Sequence, residues 1–314
     1  MNNKQTNTTK IWSLIALGAI MVLRCSVALA DVDAIQIEKS GTKPSIIIPA
    51  VHAPVFGIQA PSAAVFVGKT VLLSEGIAPD QNADTQPAKL EHSIAEIARN
   101  PTVLASWVHG IDIEKLKTRM QSHLACYTGT EILRTSNTDM YTRVLLNMQT
   151  AQAAEFILEM PCPQPSGPSR DDLVRAEAQE SGVTIKWLEH LNEWKAVQKE
   201  IPADYYRDAI VEMLKRPDEN LSSPPFVSFV QNGKYDEFDA WIRDRDVTPG
   251  QKKMYEYDVT RRTSLMYRDM APYLRSGGAV VLIGAAHIGG PDGLAALLRH
   301  DGYHLRPITL PEHK

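Results

Sequence analysis

Four side chains that could bind a metal ion or transfer protons lie at the ends of short apolar segments of this sequence. His52 follows one such segment, Glu75 and Glu189 each end another, and His287 follows the run at 279–285. Two imidazoles and two carboxylates are a plausible ligand set for a divalent ion such as Zn, Mn, Co or Fe. Such an ion lowers the pKa of a water molecule, while an unligated glutamate moves protons. The residue types therefore favour metal-assisted hydrolysis.

Each of these residues also has a purely structural interpretation. A single histidine at a strand end is commonly a hydrogen-bonded structural residue, and a glutamate there commonly caps a helix. The sequence has no close ligand pair of the His-Glu-x-x-His kind. Gly289 and Gly290 are explained equally well by a tight turn before a helix that starts near Pro291. A helix starting there would point its positive end at the site and favour a neutral imidazole at His287.

The segments that position these residues are typical of an α/β fold. Four buried strands are predicted at 45–51, 70–75, 183–189 and 279–285, because each is short, apolar and flanked by chain-breaking residues. Helical patterns separate them, which predicts a largely parallel or mixed sheet flanked by helices. Ligands bind beyond the carboxyl ends of the strands in such sheets. We therefore expect the four side chains to converge on one edge.

The long helical region between the second and third strands is predicted to be a mostly helical insertion at about 91–181. Its last helix follows a proline-rich loop at 161–169 and stops at Gly182. The insertion leaves a single α/β domain over 31–314.

A final long helix carries a charged residue on its apolar row. The helix is predicted to begin with Thr248 as N-cap and Pro249 as its first residue, and to run to about residue 274. Arg262 lies one turn before the apolar row Met266, Met270, Leu274. An unpaired buried guanidinium is costly, so we expect Arg262 to pair with Glu75 or Glu189 in the same cleft.

The N-terminal segment has the layout of a secretory signal peptide. Residues 1–30 combine two early lysines, a 13-residue apolar core and small residues at Ala28 and Ala30. Cleavage after Ala30 predicts an exported, periplasmic or secreted protein without stable membrane insertion; an uncleaved anchor helix is the alternative. Removing Lys4, Lys10 and Arg24 changes the net charge from −4 to −7. This balance argues against nucleic acid as a partner.

Two cysteines remain after cleavage, Cys126 and Cys162. In an oxidising compartment they could form a disulfide, and two separate buried thiols are the alternative. Two cysteines are too few for a cysteine-rich metal site.

Several motifs resemble the TraB/GumN family, which includes the TIKI-type proteases. The C-terminal stretch "VVLIGAAHIGGPDGLAALLRHDGY" resembles the family signature of an apolar strand, Gly-x-x-His, a glycine-containing turn and a leucine-rich helix. The segments around His52 and Glu75, around Glu189 and around Arg262 resemble the other family motifs in the same order. The resemblance covers about residues 41–308 and is most specific at its two ends.

The resemblance implies a metal-dependent, peptidase-like hydrolase on an α/β core related to the erythromycin-esterase and ChaN-like proteins. It implies Mn, Co or Zn as cofactor, with His52, His287 and Glu75 as metal ligands. Glu75, Glu189 and Arg262 would be the catalytic residues. Which of the two glutamates is the general base and which is a metal ligand is left open. The substrate would be a peptide or another small molecule, and the oligomeric state is left open.

Two positions depart from the family pattern. Pro49 stands where the first motif has glycine, and Thr263 stands where asparagine follows the helix arginine. Proline cannot donate to a strand ladder, so the first half of the site could be shaped differently. This favours, as the alternative function, a catalytically degenerate periplasmic binding or accessory protein. A haem- or iron-binding protein of the ChaN-like kind is the third possibility.

Overall fold

The described residues of the protein fold around a six-stranded mixed sheet. A computed structural model describes residues 32–79, 105–126, 142, 146, 151–159, 167–216 and 225–313. The strand order is β4-β3-β5-β2-β1-β6. β2, β3, β4 and β5 are mutually parallel, whereas β1 runs antiparallel to both of its neighbours, β2 and β6. The strands are β1 Val32–Glu38, β2 Ser45–Ala50, β3 Val71–Ile77, β4 Thr184–Glu189, β5 Ala279–Gly284 and β6 His304–Leu310.

The four predicted strands and the α/β class are confirmed, but the sequence analysis missed β1 and β6. Among the described strands, β6 pairs only with β1 and is the edge of the sheet. Its run HLRPITL contains Pro307 and three charged or polar residues, which hid it from a search for apolar runs. A proline is tolerated on an edge strand, where fewer ladder hydrogen bonds are needed.

Helices cover both faces of the sheet, and the described α-helices are numbered in chain order. They are α1 Ile113–Cys126, α2 Ala151–Glu159, α3 Arg170–Glu180, α4 Leu191–Glu200, α5 Ala203–Lys215, α6 Pro225–Gln231, α7 Tyr235–Arg245, α8 Pro249–Tyr255, α9 Arg262–Ser276 and α10 Leu294–His300.

The central strand β5 is buried on both faces because helices pack on each side. Val281 and Ile283 face a core that includes Met266 and Met270 of α9. Val280 and Leu282 face the opposite core, which includes Val174 of α3. Burial on both sides explains why this strand is a continuous apolar run rather than an alternating one. A third apolar cluster joins α1, α2 and α5 in a helical layer of its own.

The predicted final helix begins where expected but is not continuous. Thr248 caps it and forms a capping box with Gln251, and Pro249 is its first residue. The helix then widens into a π-turn, Glu256–Arg261, before α9 continues to Ser276. π-turns are uncommon and recur at functional sites. This one lies directly before Arg262.

Some predictions lie outside the described residues. The signal peptide at 1–30, Cys162 and the side chain of Cys126 belong to this group, so export and the disulfide stay predictions. α1, α2 and α3 provide helices within the predicted insertion at 91–181, in its described parts. None of the helices in the described part of the chain combines the length and hydropathy needed to cross a bilayer.

Candidate functional site

The sheet topology brings the predicted residues to one edge. Glu189 ends β4, Glu75 lies in β3, His287 follows β5 and His52 follows β2. These four strands are adjacent and parallel, so their carboxyl ends share an edge. A register shift between Ser74 and Ile77 marks a bulge around Glu75. Bulges commonly redirect a side chain beside a functional site.

Glu75 is the centre of the site. Its Oε1 lies 3.5 Å from His52 Nε2, 3.3 Å from His287 Nε2 and 2.9 Å from Arg262 Nη2. Its Oε2 accepts the backbone N–H of Gly284 at 2.5 Å. The side chains of Glu75 and His287 are each 5% exposed, whereas that of His52 is 60% exposed. The site is therefore a buried cluster that meets solvent at His52.

Arg262 joins the two glutamates. Its Nε donates to Glu189 Oε1 at 2.8 Å, and its Nη2 donates to Glu189 Oε2 at 3.1 Å and to Glu75 Oε1. Burial would lower the pKa of Arg262, but the carboxylates of Glu189 and Glu75 outweigh this and raise it. The expectation that Arg262 pairs with Glu75 or Glu189 is confirmed, and it pairs with both.

The orientation of His287 is fixed by Thr263. The Thr263 hydroxyl donates its one proton to the carbonyl of Val259, at 2.6 Å, because a carbonyl can only accept. The same oxygen lies 2.7 Å from His287 Nδ1 and must therefore accept a proton from it. In the neutral ring Nε2 then carries a lone pair, and this lone pair faces Glu75. Thr263, which stands where the family pattern has asparagine, therefore contacts a histidine of the site.

His52 is oriented in the same way by a residue that the sequence analysis missed. Its Nδ1 lies 2.8 Å from Oδ2 of Asp171, and Asp171 Oδ1 accepts the backbone N–H of Val51 at 2.9 Å. An ionised carboxylate only accepts, so Nδ1 carries the proton and Nε2 of the neutral ring has a lone pair. Asp171 is 120 residues from Val51 in the chain. No local pattern links them.

The Nε2 atoms of His52 and His287 therefore face one carboxylate oxygen of Glu75, which also accepts a hydrogen bond from Arg262. Burial by itself would raise the pKa of Glu75, but His287 and His52 outweigh it and hold this pKa well below its usual value of 4.5. Desolvation would lower the pKa of His52, but Glu75 and Asp171 outweigh it and raise this pKa well above 6.5. Solvent at the exposed His52 ring screens part of this attraction.

These shifts predict how the stability of the metal-free protein depends on pH. The depressed pKa of Glu75 adds stability above 4.5 that is lost as the pH falls further. The raised pKa of His52 adds stability below 6.5 that is lost as the pH rises through the folded-state pKa. The contribution of the cluster should thus be greatest between these values. Urea unfolding across pH should show Glu75→Gln losing the acid-side fall and part of the alkaline-side fall.

Glu114→Gln is the matched control, because the Glu114 side chain is 85% exposed on α1. Its profile should follow that of the wild type. Identical pH profiles for Glu75→Gln and the wild type would contradict the assignment of these effects to the cluster.

Gly284 lies directly beside the point where Glu75, His52 and His287 meet. A Cβ added there would lie 3.0 Å from Glu75 Oε2, 3.1 Å from His52 Nε2 and 3.3 Å from His287 Cδ2. A side chain at this position would therefore enter the space where the three groups meet. This is a physical reason for glycine three residues before His287.

The glycines after His287 do more than permit a turn. A Cβ on Gly289 would lie 2.1 Å from the carbonyl oxygen of Tyr235, and one on Gly290 would lie 2.4 Å from the carboxylate of Asp239. The turn is therefore pressed against α7. The helix that was expected near Pro291 begins instead at Leu294 and has only seven residues. The expectation that its positive end acts on His287 stays a prediction.

Pro49 leaves the first half of the site intact. β2 pairs with β1 only over 45–47, so Pro49 has a ladder partner only on its β5 side, where it lies opposite Ile283. Its carbonyl accepts from Nη1 of the buried Arg170 at 3.0 Å. The missing N–H therefore costs little at this strand end. His52, three residues later, still reaches Glu75.

Asp258, on the π-turn, is a further carboxylate near the cluster that was not expected. Burial raises the pKa of Asp258, although a hydrogen bond from Gln198 and the charge of Arg262 oppose this. Gln198 donates to its Oδ1 at 2.8 Å, and its backbone carbonyl accepts from Arg262 Nη1 at 3.1 Å. A π-turn cannot be read from apolar periodicity, so the sequence carried no signal for Asp258.

A second group of potential metal ligands is already paired with an arginine. Donor atoms of His190, Glu193 and Asp269 all lie within 4.8 Å of one another. Among the described residues, this is the group of three potential ligands that lies so close together. Arg268 donates to Glu193 at 2.9 Å and to Asp269 at 2.6 Å. The arginine supplies the charge that a cation would. The donors of the central cluster are spaced more widely, so one ion shared by His52, Glu75 and His287 requires the exposed His52 to move inward.

Comparison with known proteins gives one match. A model of the TraB/PrgY/gumN family matches residues 75–307. This range contains Glu75, Glu189, Arg262 and His287 but not His52. Comparisons with curated proteins and with solved structures found no match.

Proposed function

This chain belongs to the TraB/PrgY/gumN family, and on that premise we propose that it is an exported, metal-dependent hydrolase with peptidase-like chemistry. The observation that carries the proposal is the pair of imidazole Nε2 atoms facing Glu75 Oε1, at 3.5 and 3.3 Å. Histidines that bind metals commonly donate the other ring N–H to a carboxylate or another acceptor. Here Asp171 and Thr263 are those acceptors.

His52, His287 and Glu75 are the residues that would hold the ion, and Mn, Co and Zn suit this mixed nitrogen and oxygen set. A bound divalent ion would supply Lewis acidity that polarises a substrate carbonyl. Gly284 keeps the floor of the cluster free of a side chain. The exposed ring of His52 marks the side from which a peptide or other small molecule would enter.

The other residues have separate roles in this proposal. Arg262 holds both glutamates and supplies a fixed positive charge beside the reacting group. Both oxygens of Glu189 accept hydrogen bonds, from Arg262 and from the backbone N–H of Gly76 at 3.1 Å. Glu189 is therefore the anchor of Arg262 rather than the general base. Burial raises the pKa of Asp258, so this nearby carboxylate is the candidate for proton exchange in the proposal.

One observation favours the alternative of a binding or accessory protein. Every oxygen of Glu75 and Glu189 already has a donor within the protein. A site without a free glutamate could bind an ion or a ligand without turning over a substrate. Hydrolysis and binding must therefore be measured separately.

His287 tests the proposal most directly. Titration calorimetry with Mn, Co and Zn should show one ion bound per wild-type chain. His287→Ala should lower the metal affinity by more than about 100-fold, because loss of an outer hydrogen-bond partner already costs up to about that much. Metal-dependent cleavage of a fluorogenic peptide library should be lost in the same variant. Protein recovered from the periplasm should have a mass that lacks residues 1–30.

His300→Ala is the matched control, because the His300 side chain is 88% exposed. It should bind and cleave like the wild type. Metal binding without cleavage would favour the binding protein, and a haem absorbance band would favour the ChaN-like alternative. If the wild type binds no divalent ion, the metal-dependent hydrolase is wrong.

A further inference from the structure

Asp171 occupies an unusual place for a carboxylate. It is the second residue of α3 and is only 2% exposed. Its two oxygens are divided between two donors, the backbone N–H of Val51 and Nδ1 of His52, at 2.9 and 2.8 Å. α3 itself is held by a capping box between Ser169 and Asp172. The carboxylate is thus fixed on a rigid helix end and reaches across to the loop after β2.

We infer that Asp171 is a positioning residue that selects the Nδ1–H tautomer of His52 and so directs the Nε2 lone pair at the centre of the site. The tautomer follows from the two contacts above, while its consequence for metal affinity rests on the proposed function. Without Asp171, the exposed ring of His52 would be free to rotate and to carry its proton on either nitrogen. The effect on the ion is therefore indirect, through His52.

The geometry gives a specific expectation for Asp171→Asn. The backbone N–H of Val51 can only donate, so the asparagine carbonyl must turn towards it. The asparagine NH₂ group then faces His52 Nδ1, which becomes an acceptor, and the ring proton moves to Nε2. A protonated Nε2 cannot bind a metal ion. The substitution should thus reverse the tautomer while removing very little volume.

The experiment uses the full mature chain with ¹⁵N-labelled histidine. Two-bond ¹H–¹⁵N correlation spectra of the metal-free protein, at a pH where the ring of His52 is neutral, identify the protonated nitrogen. The wild type should carry the proton at Nδ1, and Asp171→Asn should carry it at Nε2. Calorimetry with Zn should show an affinity about 10- to 100-fold lower in the variant.

Glu180→Gln is the matched control, because it removes the same charge from an exposed residue at the other end of α3. This variant should keep the wild-type tautomer.

A wild-type His52 with its proton at Nε2 would overturn the inference even if Asp171→Asn failed to fold. So would an Asp171→Asn variant that keeps the proton at Nδ1. A wild type that binds no ion but shows the Nδ1–H tautomer would refute the proposed function and leave the role of Asp171 standing.

Discussion

Arg262→Met should lower the free energy of unfolding by about 3–5 kcal/mol, which is the cost of leaving buried charges without their partner. The side chains of Glu75 and Glu189 are 5% and 9% exposed, and Arg262 is hydrogen-bonded to both. Glu75 keeps two imidazoles in the variant, so the loss arises mainly at Glu189. Urea unfolding at neutral pH, followed by circular dichroism, measures it.

Arg261→Met is a close control. Arg261 is the preceding residue and pairs with Glu200, but both side chains of that pair are more than two-fifths exposed. Exposed pairs contribute little, so this variant should lose less than about 1 kcal/mol. Equal losses in the two variants would mean that Arg262 does not hold the glutamates together.

A substitution at Arg262 can separate the effect of its charge on catalysis from the effect of its hydrogen-bond geometry. Arg262→Lys keeps the charge, but an ammonium group cannot reproduce the two parallel hydrogen bonds to Glu189. If the hydrolase proposal is right, this variant should stay folded and lose most of its metal-dependent peptide cleavage. Wild-type turnover in Arg262→Lys would remove the arginine from the mechanism.

Gly289→Ala should destabilise the protein by about 3 kcal/mol, at the upper end of the usual cost of overpacking. The new Cβ would lie 2.1 Å from the carbonyl oxygen of Tyr235 and 2.7 Å from the backbone nitrogen of Asp236. These are backbone atoms of α7, so no side-chain rotation relieves the clash. The turn after His287 and α7 must move apart. Thermal and urea unfolding give the change in stability.

Gly302→Ala distinguishes this clash from the general effect of replacing a glycine. Gly302 has φ +80° and open space around its Cβ position, so alanine there suffers only backbone strain, about 1–2 kcal/mol. The expected order of stability is wild type, Gly302→Ala, Gly289→Ala. The opposite order would mean that the turn is not held against α7.

Much of the cleft could be predicted from the sequence because the relevant signals are local. Short apolar runs flanked by glycine and proline identified the four parallel strands. Parallel strands end at a common edge, so His52, Glu75, Glu189 and His287 followed from the strand positions. Arg262 stood out because it interrupts an apolar row with a four-residue spacing.

Other features depend on contacts between distant parts of the chain. Asp171 reaches His52 across 119 residues, and Gly289 is small because α7 lies against it. The π-turn widens a helix whose apolar pattern predicted no interruption. β6 is weakly apolar because most of its side chains are exposed or half-buried at the edge of the sheet.

The sequence by itself therefore determined which residues meet at the edge of the sheet, since strand position and direction are encoded in nearby residues. Only the tertiary structure decided what each of them does there. The tautomers of His52 and His287 depend on Asp171 and Thr263, and the engagement of Glu189 depends on Arg262. Hydrogen-bond partners are selected by distance and direction in the folded chain, and residue spacing along the sequence carries neither.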